Sequence, residues 1–343
     1  MAEKRLGRQT IALGHPPSVV SFACVGGKNE AQGPLAESFD LLEQDAYFGQ
    51  KTWEQGEAAM QKRTLELALE KAELRKEQLD HVLAGDLLNQ CISSSFSLRG
   101  SGIPLWGLYG ACSTMGEGLA LAALLIDGGF AERCAAMTSS HFCTAERQYR
   151  MPVPYGSQRP PTAQWTATAA GCTILASDGP GPYVTHVTCG TVEDLGITDA
   201  NNMGAAMAPA AYATLSAFFR ESGMTPGDFD LILTGDLGAY GHRILLDLFA
   251  RDGVDLSPNY SDCGMLLYDR DAQDMHAGGS GCGCSAAVFN GHILSGMRSG
   301  RWSRVLFAPT GALLSPTSSF QGESIPSICH AVCLSARREQ GRS

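Results

Sequence analysis

The chain has 343 residues, 44% of them apolar, with 40 glycines and a formal net charge of −10. Such a composition describes a turn-rich globular protein of one large domain or two mid-sized ones and excludes a disordered chain. The acidic balance, with a pI near 5.3, excludes a nucleic-acid partner, which calls for a basic face.

In chain order, Met1-Ala2-Glu3-Lys4-Arg5 lacks the apolar core of a secretory signal. No later run approaches the roughly 18 apolar residues of a membrane-spanning helix. The expectation is a protein made in the cytoplasm. Lys62–Lys76 reads as an ordinary solvated helix, charged on one face, with Leu65, Ala68, Leu69 and Ala72 as its apolar stripe. A short buried strand then ends in Gly85-Asp86. The most informative stretch runs from Tyr109 to Leu119. Gly107 to Gly110 suit a strand that turns abruptly, and Leu119–Ile126 continues as an Ala/Leu-rich helix. Cys112 is thereby placed at a strand-to-helix elbow, where backbone N–H groups and the positive helix end lower a thiol pKa and favour an anion.

A strand at Cys134–Met137 leads to His141, either a donor to a ligand or a partner of a backbone carbonyl. Arg147–Tyr155 is a Pro- and Tyr-bearing loop, over a cleft mouth or equally a partner surface. Ser177–Pro182 reads as a link. Beyond it, a helix through Tyr212, Leu215 and Phe218 precedes a strand ending in Gly235-Asp236. Ser280–Ala287 is a glycine-rich helix start, Val305–Phe307 a strand, and the residues after Leu334 a polar, disordered tail. The twelve cysteines are mostly scattered through apolar runs. Neither Cys282-Gly283-Cys284 nor Cys329 with Cys333 forms a paired zinc pattern, so buried thiols in a reducing compartment are expected, without a structural metal.

Two windows nearly superimpose: Asp80–Leu87 and Asp230–Leu237 agree at five of eight positions. Downstream, the helix from Cys112 leads to Gly129-x-x-x-Arg133 and a strand, and the helix from Cys284 leads to Gly300-x-x-x-Arg304 and a strand. Duplicated halves of strands separated by helices point to parallel sheets covered on both faces.

Ala111-Cys112-Ser113 before a glycine-rich helix resembles the nucleophile elbow of the thiolase and β-ketoacyl synthase superfamily. The resemblance implies an α/β, five-layered α-β-α-β-α thiolase-like fold with two pseudo-symmetric halves, 1–178 and 179–335, and a tail at 336–343. In the synthase III branch the elbow cysteine works with a histidine in a His-Gln-Ala-Asn pattern and an asparagine in Gly-Asn-x-Ser-Ala-Ala. The matching runs here are Gly235-Asp236-Leu237-Gly238 and Ser280–Ala287, so Asp236 takes the histidine's place and Gly283 the asparagine's. Oxyanion donors of that kind are each worth about 10²–10³ in rate. Without them the fold is expected to be kept and its chemistry dropped, unless His141, His242 or His276 acts from another direction.

Five runs resemble one family more closely, the stage V sporulation protein AD family of spore-forming Firmicutes: Tyr109–Gly118, Thr138–Phe142, Gly156–Thr166, Leu233–Gly238 and His276–Ala286. The similarity spans nearly the whole chain, and Arg159-Pro160-Pro161-Thr162-Ala163-Gln164-Trp165-Thr166 is among its most specific pieces. That family implies a non-catalytic protein that binds dipicolinic acid, as its calcium chelate, for uptake into the developing spore. It also implies a peripheral place at the forespore or spore inner membrane, held by other stage V sporulation A-group membrane proteins. A homodimer is the superfamily's habit, and no cofactor is implied. The expected ligand-binding residues are Cys112, Ser113, Thr114, His141, Asp236 and Gly283, with a carboxylate on the elbow N–H groups and Asp236 on an accompanying Ca²⁺. Two other classes stay open: an acyltransferase or condensing enzyme with Cys112 as nucleophile, and a scaffold that only docks membrane subunits.

Overall fold

The computed structural model describes residues 3–149 and 159–338. Within them the chain lays down two sets of five strands on one plan. The first set is β1 (Ser18–Gly26), β2 (His81–Gly85), β3 (Leu105–Gly107), β4 (Arg133–Ser140) and β5 (Ala169–Ala176). The second is β6 (Tyr183–Thr188), β7 (Leu231–Thr234), β8 (Tyr260–Asp262), β9 (Arg304–Ala308) and β10 (Ala331–Ser335). Their spatial orders are β1-β5-β4-β2-β3 and β6-β10-β9-β7-β8, and the pair Ser18–Tyr183 bridges the two half-sheets. In each half three strands are parallel (β4, β2, β3 and β9, β7, β8), while the first and last run antiparallel to their neighbours. The expectation of parallel sheets is corrected here. A buried apolar run reads alike whichever way its neighbours point, so periodicity carries no strand direction.

Side chains alternate along these strands and build three main cores among the described residues. Helix α1 (Trp53–Lys71) lays Leu65, Ala68 and Leu69 on Val82, Ala84, Ala135 and Met137, the outer face of the first half-sheet. Two helices fill the middle: α2 (Thr114–Asp127) and a helix that starts at Cys282–Ala287 and continues through a π turn, Val288–Ile293, to Leu294–Arg298. They pack Met115, Leu119, Phe289 and Ile293 with Leu83, Ala136, Leu233, Val305 and Phe307. Outside the second half-sheet, a helix over Met203–Ser222 and another over Gly238–Arg251 bury Met207, Leu215, Phe218 and Phe249 against Ile232 and Leu306. Leu83 facing inward between Val82 and Ala84, and Leu306 facing outward between Val305 and Phe307, are the period of 2 made visible. The layers run α-β-α-β-α, as the resemblance implied.

Helix α1 also corrects the sequence reading. It starts at Trp53, capped by the Thr52 side chain accepting from the Gln55 N–H at 3.3 Å, and ends before Lys76. Lys62, Arg63 and Glu66 do face solvent, but Glu57, Gln61 and Thr64 are fully buried. The tail expected to be disordered is anchored through Arg338, whose guanidinium donates to Ser177 O at 2.7 Å and Asp178 Oδ1 at 3.3 Å; residues 339–343 lie outside the described residues. Among the described residues no helix is long and apolar enough to cross a membrane.

Candidate functional site

After β3, Ala111 takes a left-handed φ of +49°, a conformation that costs energy in a residue with a Cβ and that concentrates at functional turns. A 3₁₀ turn, Ala111–Ser113, then feeds α2, so Cys112 sits on the expected elbow. Ser113 and Thr114 turn back on that elbow: Ser113 Oγ donates to Gly110 O, and Thr114 Oγ1 donates to Ala111 O, both at 2.6 Å. The strand Thr310–Ala312 closes over it so tightly that a Cβ on Gly311 would lie 2.1 Å from Gly110 O.

The Cys112 thiol faces the Asp236 carboxyl, reached from the end of β7, closely enough that each shifts the other's titration. Asp236 is fully buried and gathers donors: Gly281 N–H at 2.8 Å and Ser280 Oγ at 3.0 Å on Oδ2, with Thr310 Oγ1 at 3.5 Å from Oδ1. Burial pushes this carboxyl up to about 7, and the thiol and the Gly281 N–H pull it back. The thiol itself is driven well above its ordinary value, by burial first and then by the charge on Asp236. An activated thiolate, expected from the helix start, is therefore corrected. Desolvation and a facing carboxylate outweigh the dipole.

Gly283 lies at the first turn of the middle helix, where a Cβ would stand 2.2 Å from Ala169 O and 2.5 Å from Ser140 Oγ. No asparagine fits this backbone. His141 does not reach the elbow's cleft: its Nε2 faces Ala46 O at 2.8 Å and its Nδ1 accepts from the Cys143 N–H at 3.1 Å. His242 stacks on Tyr260 and His276 spans Pro160 O and Asp274, so neither histidine faces Cys112. The structure thus brings Cys112 and Asp236 together, sets Ser113, Thr114 and Gly283 in the packing around them, and leaves His141 apart.

A cleft of about 80 Å³ opens over Cys112, between the halves, on the scale of a few waters or one small ring. Leu87, Tyr109, Ala145 and Tyr149 wall it on one side, and Met203, Met207, Ala312 and Leu314 on the other; Glu146, Gln164, Thr166 and Ser280 contribute polar atoms. Sequence reasoning assigned no role to several of these. Tyr149 ends a helix over Phe142–Tyr149, so the expected loop begins later; 150–155 lie outside the described residues. Its hydroxyl donates to Leu87 O and pairs with Tyr109 OH at 2.7 Å. Gln164, from the Arg-Pro-Pro-Thr-Ala-Gln-Trp-Thr run, donates Nε2 to Asp236 O at 2.7 Å and Gly279 O at 2.9 Å, while its buried Oε1 has no partner among the described residues. A signal for Gln164 was present: a polar residue flanked by apolar ones in a motif that no local turn explains. A second carboxyl cluster, Glu57 with Asp86, is buried behind the cleft. Burial and then the Asp86 charge raise Glu57 to about 8.

Comparison with known proteins agrees with this architecture. The stage V sporulation protein AD family pattern matches residues 7–335. The stage V sporulation protein AD of Bacillus subtilis (strain 168) is 44% identical over 329 residues, 96% of this chain and 97% of that protein. Among solved structures, 3-oxoacyl-[acyl-carrier-protein] synthase III from Aquifex aeolicus VF5 superposes with a TM-score of 0.56 at 11% identity, covering 93% of this chain and 99% of that one. A single-residue variant of OleA from Xanthomonas campestris gives 0.59 at 13% identity over 94% and 99%. Human mitochondrial 3-ketoacyl-CoA thiolase in complex with CoA gives 0.57 at 12% identity over 94% and 99%. These likenesses show the thiolase-type fold. With the family pattern over nearly its full length and a relative at this identity, the chain belongs to the stage V sporulation protein AD family.

Proposed function

We propose that this protein is a non-catalytic thiolase-fold binder of dipicolinic acid, taken as its calcium chelate, serving uptake into the developing spore. The carrying observation is a cleft retained over Cys112 while the places of the two condensing partners hold an acceptor, Asp236, and no side chain, Gly283. Gly283 offers no donor to an oxyanion, and a buried thiol held protonated beside a carboxyl is a poor nucleophile.

The cleft's electrostatics favour the chelate over the free dianion. No cationic side chain is found among its described lining residues, Glu146 stands at its wall, and Asp236 lies beneath Cys112. A dianion would enter against those charges, whereas a neutral one-to-one chelate would not. The Gln164 Oε1, without a partner among the described residues, is a hard oxygen of the kind Ca²⁺ takes. Attachment at the spore membrane would run through membrane subunits of the same sporulation group, with the chain acting as a homodimer.

Calorimetric titration with dipicolinate, with and without equimolar Ca²⁺, tests this reading. One-to-one binding that tightens with Ca²⁺ is expected, and no heat in either condition removes it. Incubation with acyl-CoA followed by mass spectrometry should leave Cys112 unmodified; a thioester there would establish the acyltransferase instead.

A further inference from the structure

A second cavity, of about 420 Å³, shares no lining residue with the cleft. Its walls are Pro161, Ala239, Tyr240, Arg243, Arg270 and His276. Arg243 comes from the helix Gly238–Arg251 and Arg270 from the loop beyond β8. Some arginines of this acidic chain are answered by carboxylates, Arg63 by Glu70, Arg147 by Glu54, Arg159 by Asp274 and Arg338 by Asp178, and others, such as Arg99 and Arg301, lie over aromatic rings. Arg243 and Arg270 have no ion-pair partner among the described residues, although they converge on one cavity.

Of the acids nearby, Asp247 and Asp271 form no ion pair with the two arginines, and three others are engaged elsewhere. Asp274 holds Arg159 at 3.0 Å and His276 Nε2 at 3.0 Å, and Asp269 accepts from the Ala272 N–H at 3.0 Å. Asp262 caps the start of the helix, accepting from Leu237 N at 2.9 Å and Gly238 N at 3.0 Å, so the positive potential of the cavity comes from the guanidiniums themselves. Two like charges lining one cavity repel, and in a chain of net charge −10 such a pair is stabilised by an anion bound at the cavity. Guanidinium forks match the paired oxygens of carboxylate and phosphate, and the half-exposed Tyr240 adds a hydroxyl donor.

We infer that this cavity is a binding site for a small dianionic oxyanion, a dicarboxylate or a phosphate, clamped by Arg243 and Arg270 with Tyr240 beside them. The site is independent of what the cleft holds. It suits the charged form of a ligand that the cleft disfavours.

The full chain, with a chelator removing divalent cations, is titrated calorimetrically with calcium-free dipicolinate in one arm and inorganic phosphate in the other. One-to-one binding is expected in at least one arm, and the tighter arm names the source. Arg243→Gln or Arg270→Gln should weaken it about 10- to 150-fold, the range for losing a hydrogen bond to a charged group. Added salt should weaken it further. Lys62→Gln, on the solvated face of α1, should leave it unchanged. The inference is overturned if neither anion binds, if binding survives Arg243→Gln/Arg270→Gln together in a variant of unaltered melting temperature, or if Lys62→Gln abolishes it.

Discussion

Asp236→Asn isolates the carboxyl that faces Cys112. An asparagine with its carbonyl oxygen in the place of Oδ2 keeps the Gly281 N–H and Ser280 bonds of 2.8 and 3.0 Å. Its amide then faces the Thr310 hydroxyl, which accepts as readily as it donates. The substitution therefore removes charge with little loss of contact. Burial holds the Asp236 carboxyl at about 7 against an ordinary 3.8. Between those values the folded chain keeps a proton that the unfolded chain has released. The group's contribution is thus most favourable below pH 4 and is lost as pH rises through 7. At about 1.4 kcal/mol per pH unit the interval amounts to about 4 kcal/mol, and the asparagine variant carries none of it. Denaturant unfolding of both proteins from pH 4 to 8.5 should show the stability difference moving toward the variant by up to about 4 kcal/mol, nearly all of it before pH 7.5. Relieved of the facing carboxylate, Cys112 should also react faster with iodoacetamide. A pH-independent stability difference with unchanged labelling would refute the coupling of thiol and carboxylate.

Three further outcomes are expected. Glu57→Gln removes a carboxyl held at about 8 by burial and by Asp86; its unfolding free energy relative to the parent should rise between about pH 4.5 and 8, and a flat profile over that range contradicts the assignment. Gly283→Ala drives a Cβ to 2.2 Å from Ala169 O and 2.7 Å from Ser140 N, backbone that cannot swing aside, and should cost about 3 kcal/mol. Calorimetric melting reads this as a fall of several degrees, and an unshifted melting temperature would show that the middle helix has room. Trp106→Lys tests the homodimer. Edge strand β3 exposes Leu105 at 38% and Trp106 at 51%, beside Phe96 at 47%, and an apolar edge of this kind is covered by another strand. Light scattering should find a dimer for the parent and a monomer for the variant; a monomeric parent discards the pairing.

Much of the fold was legible because duplication writes the same physics twice. Gly85-Asp86 and Gly235-Asp236 recur because each ends a buried strand with a buried carboxylate that collects backbone N–H groups. Asp86 accepts from Leu88 and Ser94, and Asp236 accepts from Gly281. The buried run Val82-Leu83-Ala84 was legible as a strand, though not which of its side chains face inward, since all three are apolar. Helix α1 was not legible. Its first turns carry Glu57 and Gln61, which look solvated in any hydropathy pattern. They are buried because Ser139 and Thr144 donate to Glu57, at 3.0 and 2.8 Å, and Gly85 O and Ser94 receive Gln61. Those partners are remote in sequence, so no local window contains the compensation that permits burial.

The state of the thiol illustrates the same limit at the site itself. The elbow motif reports the helix start, a local field worth on the order of 1 kcal/mol. It is silent on desolvation and on a carboxylate from the other half of the chain, and those two effects decide. The departures at Asp236 and Gly283 looked in sequence like two separate losses. In space they belong to one arrangement. Gly283 lets the middle helix settle onto Ser140 and the Ala169 carbonyl, with its N–H on Ser140 Oγ at 3.1 Å. That seating carries the Gly281 N–H and the Ser280 hydroxyl onto Asp236, which faces the Cys112 thiol. A larger side chain at 283 would lift the donors that allow a buried carboxylate at 236, so either change alone is strained and the pair is compatible. Restoring the histidine and the asparagine together therefore requires moving the middle helix, not only exchanging two side chains.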